Sequence, residues 1–193
     1  MFDPKSRHHV PAATGTIGMW LFLAALTMLF AASMLGYAVI RTRSTAPALH
    51  TLHLPRTLWI STALILGASF TIHQAVRAAR RERQSELRRN LIMTCLFAAG
   101  FVIIQAPALL DILSAHRALS GRGLRLYGLV FFLILIHALH VLGGIIGLAL
   151  TTNNAIAGRY DHENYNGVKH AAMYWHFLDA VWIVMFAGLM AAG

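Results

Sequence analysis

The chain has 193 residues, of which 58% are hydrophobic and only 12% charged, with a mean hydropathy of +0.61. A soluble domain is about 25% charged, and one this short has no core large enough to hide so much apolar surface. The net charge of +9 is dispersed through the joints between apolar runs. That distribution argues against nucleic acid as a partner and for contact with anionic lipid headgroups.

An apolar run of about 20 residues crosses the hydrocarbon core as a helix. Five runs qualify, at residues 17–40, 58–75 with a few flanking residues, 91–110, 127–150 and 173–192. The expected fold is therefore all-α: a polytopic membrane protein, a bundle of five transmembrane helices over residues 17–193. Residues 1–16 form a separate N-terminal segment. The opening "MFDPKSRHHVPAATGTIG" is too long and polar before its apolar run to resemble a cleavable signal, so the first run is expected to stay.

The joints between the runs are short and polar. Residues 77–89, after the second run, are mostly Arg, Ala, Glu, Gln and Leu, all good helix formers. Runs two and three are expected to continue as helices past the membrane before they turn. This joint also holds Arg77, Arg80, Arg81, Arg83, Arg88 and Arg89. Lys and Arg number ten on the side of the N-terminus and six on the other. The positive-inside rule then predicts a cytoplasmic N-terminus and an external C-terminus.

Helix contacts leave fainter traces. In "GGIIG", Gly143 and Gly147 stand one turn apart, a spacing that lets two backbones approach closely in lipid. Pro107 is expected to kink the third span or mark its end. The single cysteine, Cys95, leaves no route to a disulfide within the chain. Trp20, Trp59, Trp175, Tyr174 and Tyr37 fall near the ends of the predicted spans, where amphipathic rings prefer the headgroup level.

Titratable groups within a bilayer are costly and face a partner or a cavity. Span two holds His73, span three Gln105, span four His137 and His140, and span five His176 and Asp179. Residues three apart share a helix face, so 137/140 form one polar patch and 176/179 another. If each span starts at its membrane surface, the two patches lie at somewhat different depths. Three readings are open. The groups exchange hydrogen bonds that fix the bundle. Two imidazoles on different spans ligate a haem. Histidine and aspartate carry protons or ions. The sequence contains no phosphate loop, no HExxH metal motif and no serine-nucleophile motif.

The motifs in order carry a resemblance. "MWLFLAALTMLFAASMLGY" (19–37), "LWISTALILGASFTIHQAVRAARR" (58–81), "GFVIIQAP" (100–107), "IHALHVLGG" (136–144) and "YWHFLDAVWIVMF" (174–186) resemble helices III to VII of the cytochrome c oxidase subunit III family. Thr62, Ser69 and His73 stand where that family's helix IV has them. The family fold is a seven-helix bundle, and this chain resembles the five-helix kind. The resemblance implies a subunit that binds no haem or copper itself, these cofactors belonging to partner subunits. Such a subunit flanks catalytic subunit I, holds phospholipid in a cleft and supports proton uptake. His73, His137, His140, His176 and Asp179 would then form a structural polar network, and no residue would be catalytic or a metal ligand.

The expected function is an accessory, non-redox subunit of a respiratory haem–copper oxidase, oxidising cytochrome c or quinol, in a bacterial cytoplasmic membrane. Its alternatives are an accessory subunit of a nitric oxide reductase and a membrane b-type cytochrome with histidine ligands. Two departures stand out. The carboxylate usual in the family's helix III is here Leu26, and the glutamate common in helix V is here Ala108.

Overall fold

A computed structural model describes residues 12–43, 57–118, 124–160 and 165–192. Its elements are five helices: α1 (Ala12–Arg43), α2 (Thr57–Arg80), α3 (Gln84–Ala118), α4 (Leu124–Ile156) and α5 (Asn166–Ala192). Each contains a stretch long and apolar enough to span a bilayer: Gly15–Ile40, Trp59–Arg80, Gln84–Pro107, Phe131–Ile156 and Asn166–Gly188. The five-helix, all-α expectation holds. Most of the predicted N-terminal segment, residues 1–11, lies outside the described residues, and α1 already begins at Ala12.

Helices α2, α3, α4 and α5 form a closed ring in which each packs on the next and α5 returns to α2. Neighbours in the ring run antiparallel, as paired contacts such as Thr71–Thr94 and Ser61–Gln105 show for α2 and α3. Helix α1 lies across α4 and α5. It runs parallel to α5, with Thr16 beside His170, Phe22 beside Tyr174 and Phe30 beside Phe177.

The ring closes because each helix carries one buried stripe. On α2 the stripe is Ser61, Ile65, Ala68, Ile72, Ala75 and Ala79; on α3 it is Leu87, Leu91, Thr94, Ala98 and Phe101. Steps of three and four residues keep these positions on one face. Lipid is as apolar as leucine, so apolar character alone does not pull helices together in a membrane. Close backbone approach does, and the alanines of α2 provide it. The outer faces carry Trp59, Ile60, Leu66 and Phe70 on α2, and Leu96 and Ile103 on α3, all exposed to the surroundings of the bundle.

The arginine-rich joint is a tight turn. The Arg83 N–H donates to the Ala78 carbonyl and the Glu82 N–H to that of Ala79, with Glu82 at φ 57°. This is a left-handed cap closing α2. Helix α4 ends the same way, on Gly158 at φ 68°, with the Arg159 N–H on Asn154 and the Gly158 N–H on Ala155. Glycine adopts that conformation without steric cost. Two side chains at the start of α3 then clasp this end: Arg88 donates to the Ala155 carbonyl at 3.1 Å, and Gln84 to that of Tyr160 at 2.7 Å. Basic groups suit a helix C-terminus, where the unpaired carbonyls concentrate negative charge.

Three local expectations change. Helix α5 begins at Asn166 rather than 173, because Val168 and Ala172 belong to the core and draw that first turn into the bundle. Trp175 therefore lies well inside the helix and is 1% exposed, and Tyr37 is buried too. Only Trp20 and Trp59, both exposed, keep a position that suits the headgroup reading. Helix α4 also runs past residue 150, since Thr151 and Thr152 return their hydroxyls to the Gly147 and Leu148 carbonyls, each at 2.8 Å.

Pro107 lies inside α3, which continues past it to Ala118. Of the glycines of α4, the one packed tightly against α5 is Gly144, one position from the predicted pair. A Cβ there would meet Leu178 at 2.9 Å, Tyr174 at 3.1 Å and Trp175 at 3.2 Å. Gly143 has only the Tyr174 hydroxyl at 3.9 Å, and Gly147 has nothing within 4 Å. The i,i+4 spacing was visible in the sequence, but the rotation of α4 turns that pair outward. Gly144→Ala is expected to destabilise the bundle by about 1–3 kcal/mol through overpacking, and Gly147→Ala to leave it unchanged. Detergent-induced unfolding of the two variants measures the difference.

Candidate functional site

Each helix of the ring interrupts its apolar stripe with a polar side chain: Ser61 on α2, Thr94 on α3, His137 on α4 and Asp179 on α5. A buried polar atom without a partner is costly in lipid, so the contacts of these residues determine how the ring holds together. Between α2 and α3, Gln105 donates to the Ser61 hydroxyl at 2.9 Å, and the hydroxyls of Thr71 and Thr94 bond at 2.8 Å. Between α3 and α4, Cys95 Sγ lies 3.4 Å from the Thr152 hydroxyl.

The α2–α5 seam joins two of the predicted residues through others. Ser69 Oγ lies 2.6 Å from His176 Nδ1, and the His176 ring lies 6.2 Å from that of His73. Two turns nearer the start of α2, the Trp182 indole N–H donates to the Thr62 hydroxyl at 3.2 Å. Asp179 is 4% exposed, and among the described residues neither carboxyl oxygen has a hydrogen-bond partner.

The histidines of α4 have different surroundings. His137 is buried between aromatic rings, stacked on Trp182 at 5.8 Å and edge-on to Phe30 of α1 at 6.0 Å. Among the described residues, neither of its nitrogens has a hydrogen-bond partner. His140 donates from Nδ1 to the Ile136 carbonyl of its own helix at 2.6 Å, and its ring meets Phe30 at 5.6 Å. Its own carbonyl accepts from the Tyr174 hydroxyl at 3.0 Å, which ties α5 to α4.

The five predicted residues thus occupy two places. His73, His176 and Asp179 gather on the α2–α5 seam, whereas His137 and His140 sit beneath Phe30 on the α1–α4 side. Depth does not separate them. His137 stands opposite Trp182, and Gly144 opposite Trp175 and Leu178, so His140 and Asp179 come level. The seven residues gained at the start of α5 produce this alignment. Rotation about the helix axes keeps the patches apart. Among the described residues, no group of three or more His, Cys, Asp or Glu is arranged to hold a metal ion.

Sequence reading passed over Ser61, Thr94 and Thr152, and it met Thr62 and Ser69 only through the family motif. Their signal was periodicity: 61, 65, 68 and 72 trace one face of α2, and a serine within an otherwise apolar face is a contact point. The Trp182–Thr62 bond is testable by itself. A double-mutant cycle of Trp182→Phe and Thr62→Val, read by unfolding in detergent, is expected to give a coupling of about 1 kcal/mol, in the range of interhelical hydrogen bonds in membranes. The cycle removes the contribution of the Trp182 contacts with Phe101 and His137.

Comparison with known proteins agrees with this architecture. Residues 5–192 match the family described as Cytochrome c oxidase subunit III. A probable cytochrome c oxidase subunit 3 of Nocardia farcinica is 28% identical over 176 residues, 89% of this chain and 85% of the relative. The quinol oxidase subunit 3 of Bacillus subtilis is 29% identical over 178 residues, 92% of this chain and 86% of the relative. The cytochrome c oxidase subunit 3 of Heterololigo bleekeri is 24% identical over 128 residues, 66% of this chain and 47% of the relative. With five membrane-spanning helices and a match that runs through all of them, the chain belongs to the cytochrome c oxidase subunit III family.

Proposed function

We propose that the chain is an accessory, non-redox subunit of a respiratory haem–copper oxidase, packed against catalytic subunit I in a bacterial cytoplasmic membrane. Membership of the subunit III family makes it a multi-pass membrane protein and part of an oxidoreductase complex whose cofactors lie in other subunits. The observation that carries the reading is the family match across all five helices. The similarity to both a cytochrome c oxidase subunit and a quinol oxidase subunit supports an oxidase and leaves either electron donor compatible.

The role is that of a scaffold. Side-chain hydrogen bonds between α2 and α3, α3 and α4, and α2 and α5 make the bundle a rigid body, able to brace a catalytic neighbour and sustain its proton uptake. The basic end of the bundle, with the α2–α3 turn, Arg159 and Lys169, lies on the cytoplasmic side in this reading, which places the C-terminus outside.

Two experiments test these points. Purification through a tag on this chain is expected to bring down a haem-containing catalytic subunit, and the chain then separated from the complex is expected to show no reduced-minus-oxidised haem band. A haem band that stays with the separated chain would overturn the reading. For orientation, a Glu82→Cys variant in a Cys95→Ser background is expected to resist a membrane-impermeant thiol reagent in intact cells and to react after lysis. Labelling in intact cells would invert the assignment.

A further inference from the structure

Helix α1 packs on α4 and α5, and α2 packs on α3 and α5, so α5 faces outward between α1 and α2. It forms the floor of a groove whose walls are those two helices. The outward stripe of α5 is His176, Ala180, Val184 and Ala187, at steps of three and four residues. His176 is half-buried and the other three are exposed. On the α2 flank, Leu66, Phe70 and His73 are exposed.

The groove differs in chemistry from the rest of the outer surface. From 92 to 107 on α3 and from 131 to 150 on α4 the exposed side chains are apolar, among them Leu96, Ile103, Leu139 and Ile146. On α1, Thr27 and Ser33 return their hydroxyls to the Leu23 and Leu29 carbonyls of their own helix, each at 2.8 Å. Those faces suit hydrocarbon. In the groove, His73 is exposed two turns inside Arg80, where its span ends, and its ring lies 6.2 Å from that of His176. Ser69 engages Nδ1 of His176 at 2.6 Å, which leaves Nε2 for another partner. Imidazoles inside a membrane are costly and face protein or a cavity. Beside them, the alanines at 180 and 187 let a further helix backbone come close.

We propose that the groove between α1 and α2 is the docking surface for the haem-bearing neighbour. One transmembrane helix of that neighbour lies along α5 and offers a hydrogen-bonding side chain to His73 or His176. The assignment rests on the accessory-subunit reading and adds the face through which that role is exercised. Acyl chains would fill the apolar part of the groove, but they supply no hydrogen bond two turns below the arginines.

Photo-cross-linking in the whole complex tests the face. In separate variants, p-benzoylphenylalanine replaces Phe70 or Val184 at the groove, and Ile103 or Leu139 on the outer faces of α3 and α4. All four positions are exposed, so the bundle itself tolerates the probe. Phe70 and Val184 are expected to cross-link to the haem-bearing subunit, and Ile103 and Leu139 are not. The proposal is overturned by cross-links from Ile103 or Leu139 that equal those from the groove. It is also overturned by groove cross-links to lipid or to a second copy of this chain alone, or by none at all. Haem in the purified complex separates the two levels. A preparation without the haem-bearing subunit refutes the accessory reading and this proposal with it, whereas haem present with the wrong cross-links refutes the groove alone. His73→Leu keeps the bulk and removes the polar ring. Retention of the haem-bearing subunit through detergent washing is expected to fall about threefold to tenfold, the range for one interhelical hydrogen bond in a membrane. Retention equal to that of the unaltered chain would overturn the role given to His73.

Discussion

The structure depends on how polar atoms are accommodated inside a bundle that lipid surrounds. A hydrocarbon solvent neither drives leucines together nor hydrates a stray hydroxyl. Cohesion therefore comes from small residues that let backbones meet and from hydrogen bonds that bridge them. The Ser69–His176 contact at 2.6 Å and the Trp182–Thr62 contact at 3.2 Å do this between α2 and α5, which are remote in sequence. They close the ring that α2–α3 and α4–α5 neighbours begin.

The two ends of the bundle are built differently from its middle. At the basic end, left-handed caps on Glu82 and Gly158 terminate α2 and α4, and Gln84 and Arg88 bind the carbonyls exposed there. Water and lipid headgroups reach this region, so charged side chains suit it. In the middle, among the described residues, hydroxyls, imidazoles and the Asp179 carboxyl take the place of charged pairs. His137 shows how far this goes: a buried imidazole held by Trp182 and Phe30 through ring contacts alone. Aromatic packing of that kind orders a ring without satisfying its nitrogens.

The departures from the family pattern bear on the same interior. Leu26 stands where a helix III carboxylate is usual, and it is buried in α1. Among the described residues, the buried carboxyl group is that of Asp179.

Much of this was written in the chain. Run length and hydropathy determined the five helices, the distribution of arginines distinguished the two ends, and the helix-forming composition of residues 77–89 set a tight α2–α3 hairpin. Spacing of three also determined that His137 shares a face with His140, and His176 with Asp179. What spacing along one helix does not contain is the rotation of that helix relative to its neighbours. Tertiary packing decided that Gly144 meets α5 while Gly147 faces outward, and that His176 meets Ser69 while His140 meets Phe30. It also decided where α5 begins, because Val168 and Ala172 are held by contacts with other helices in a segment whose local composition reads as a loop.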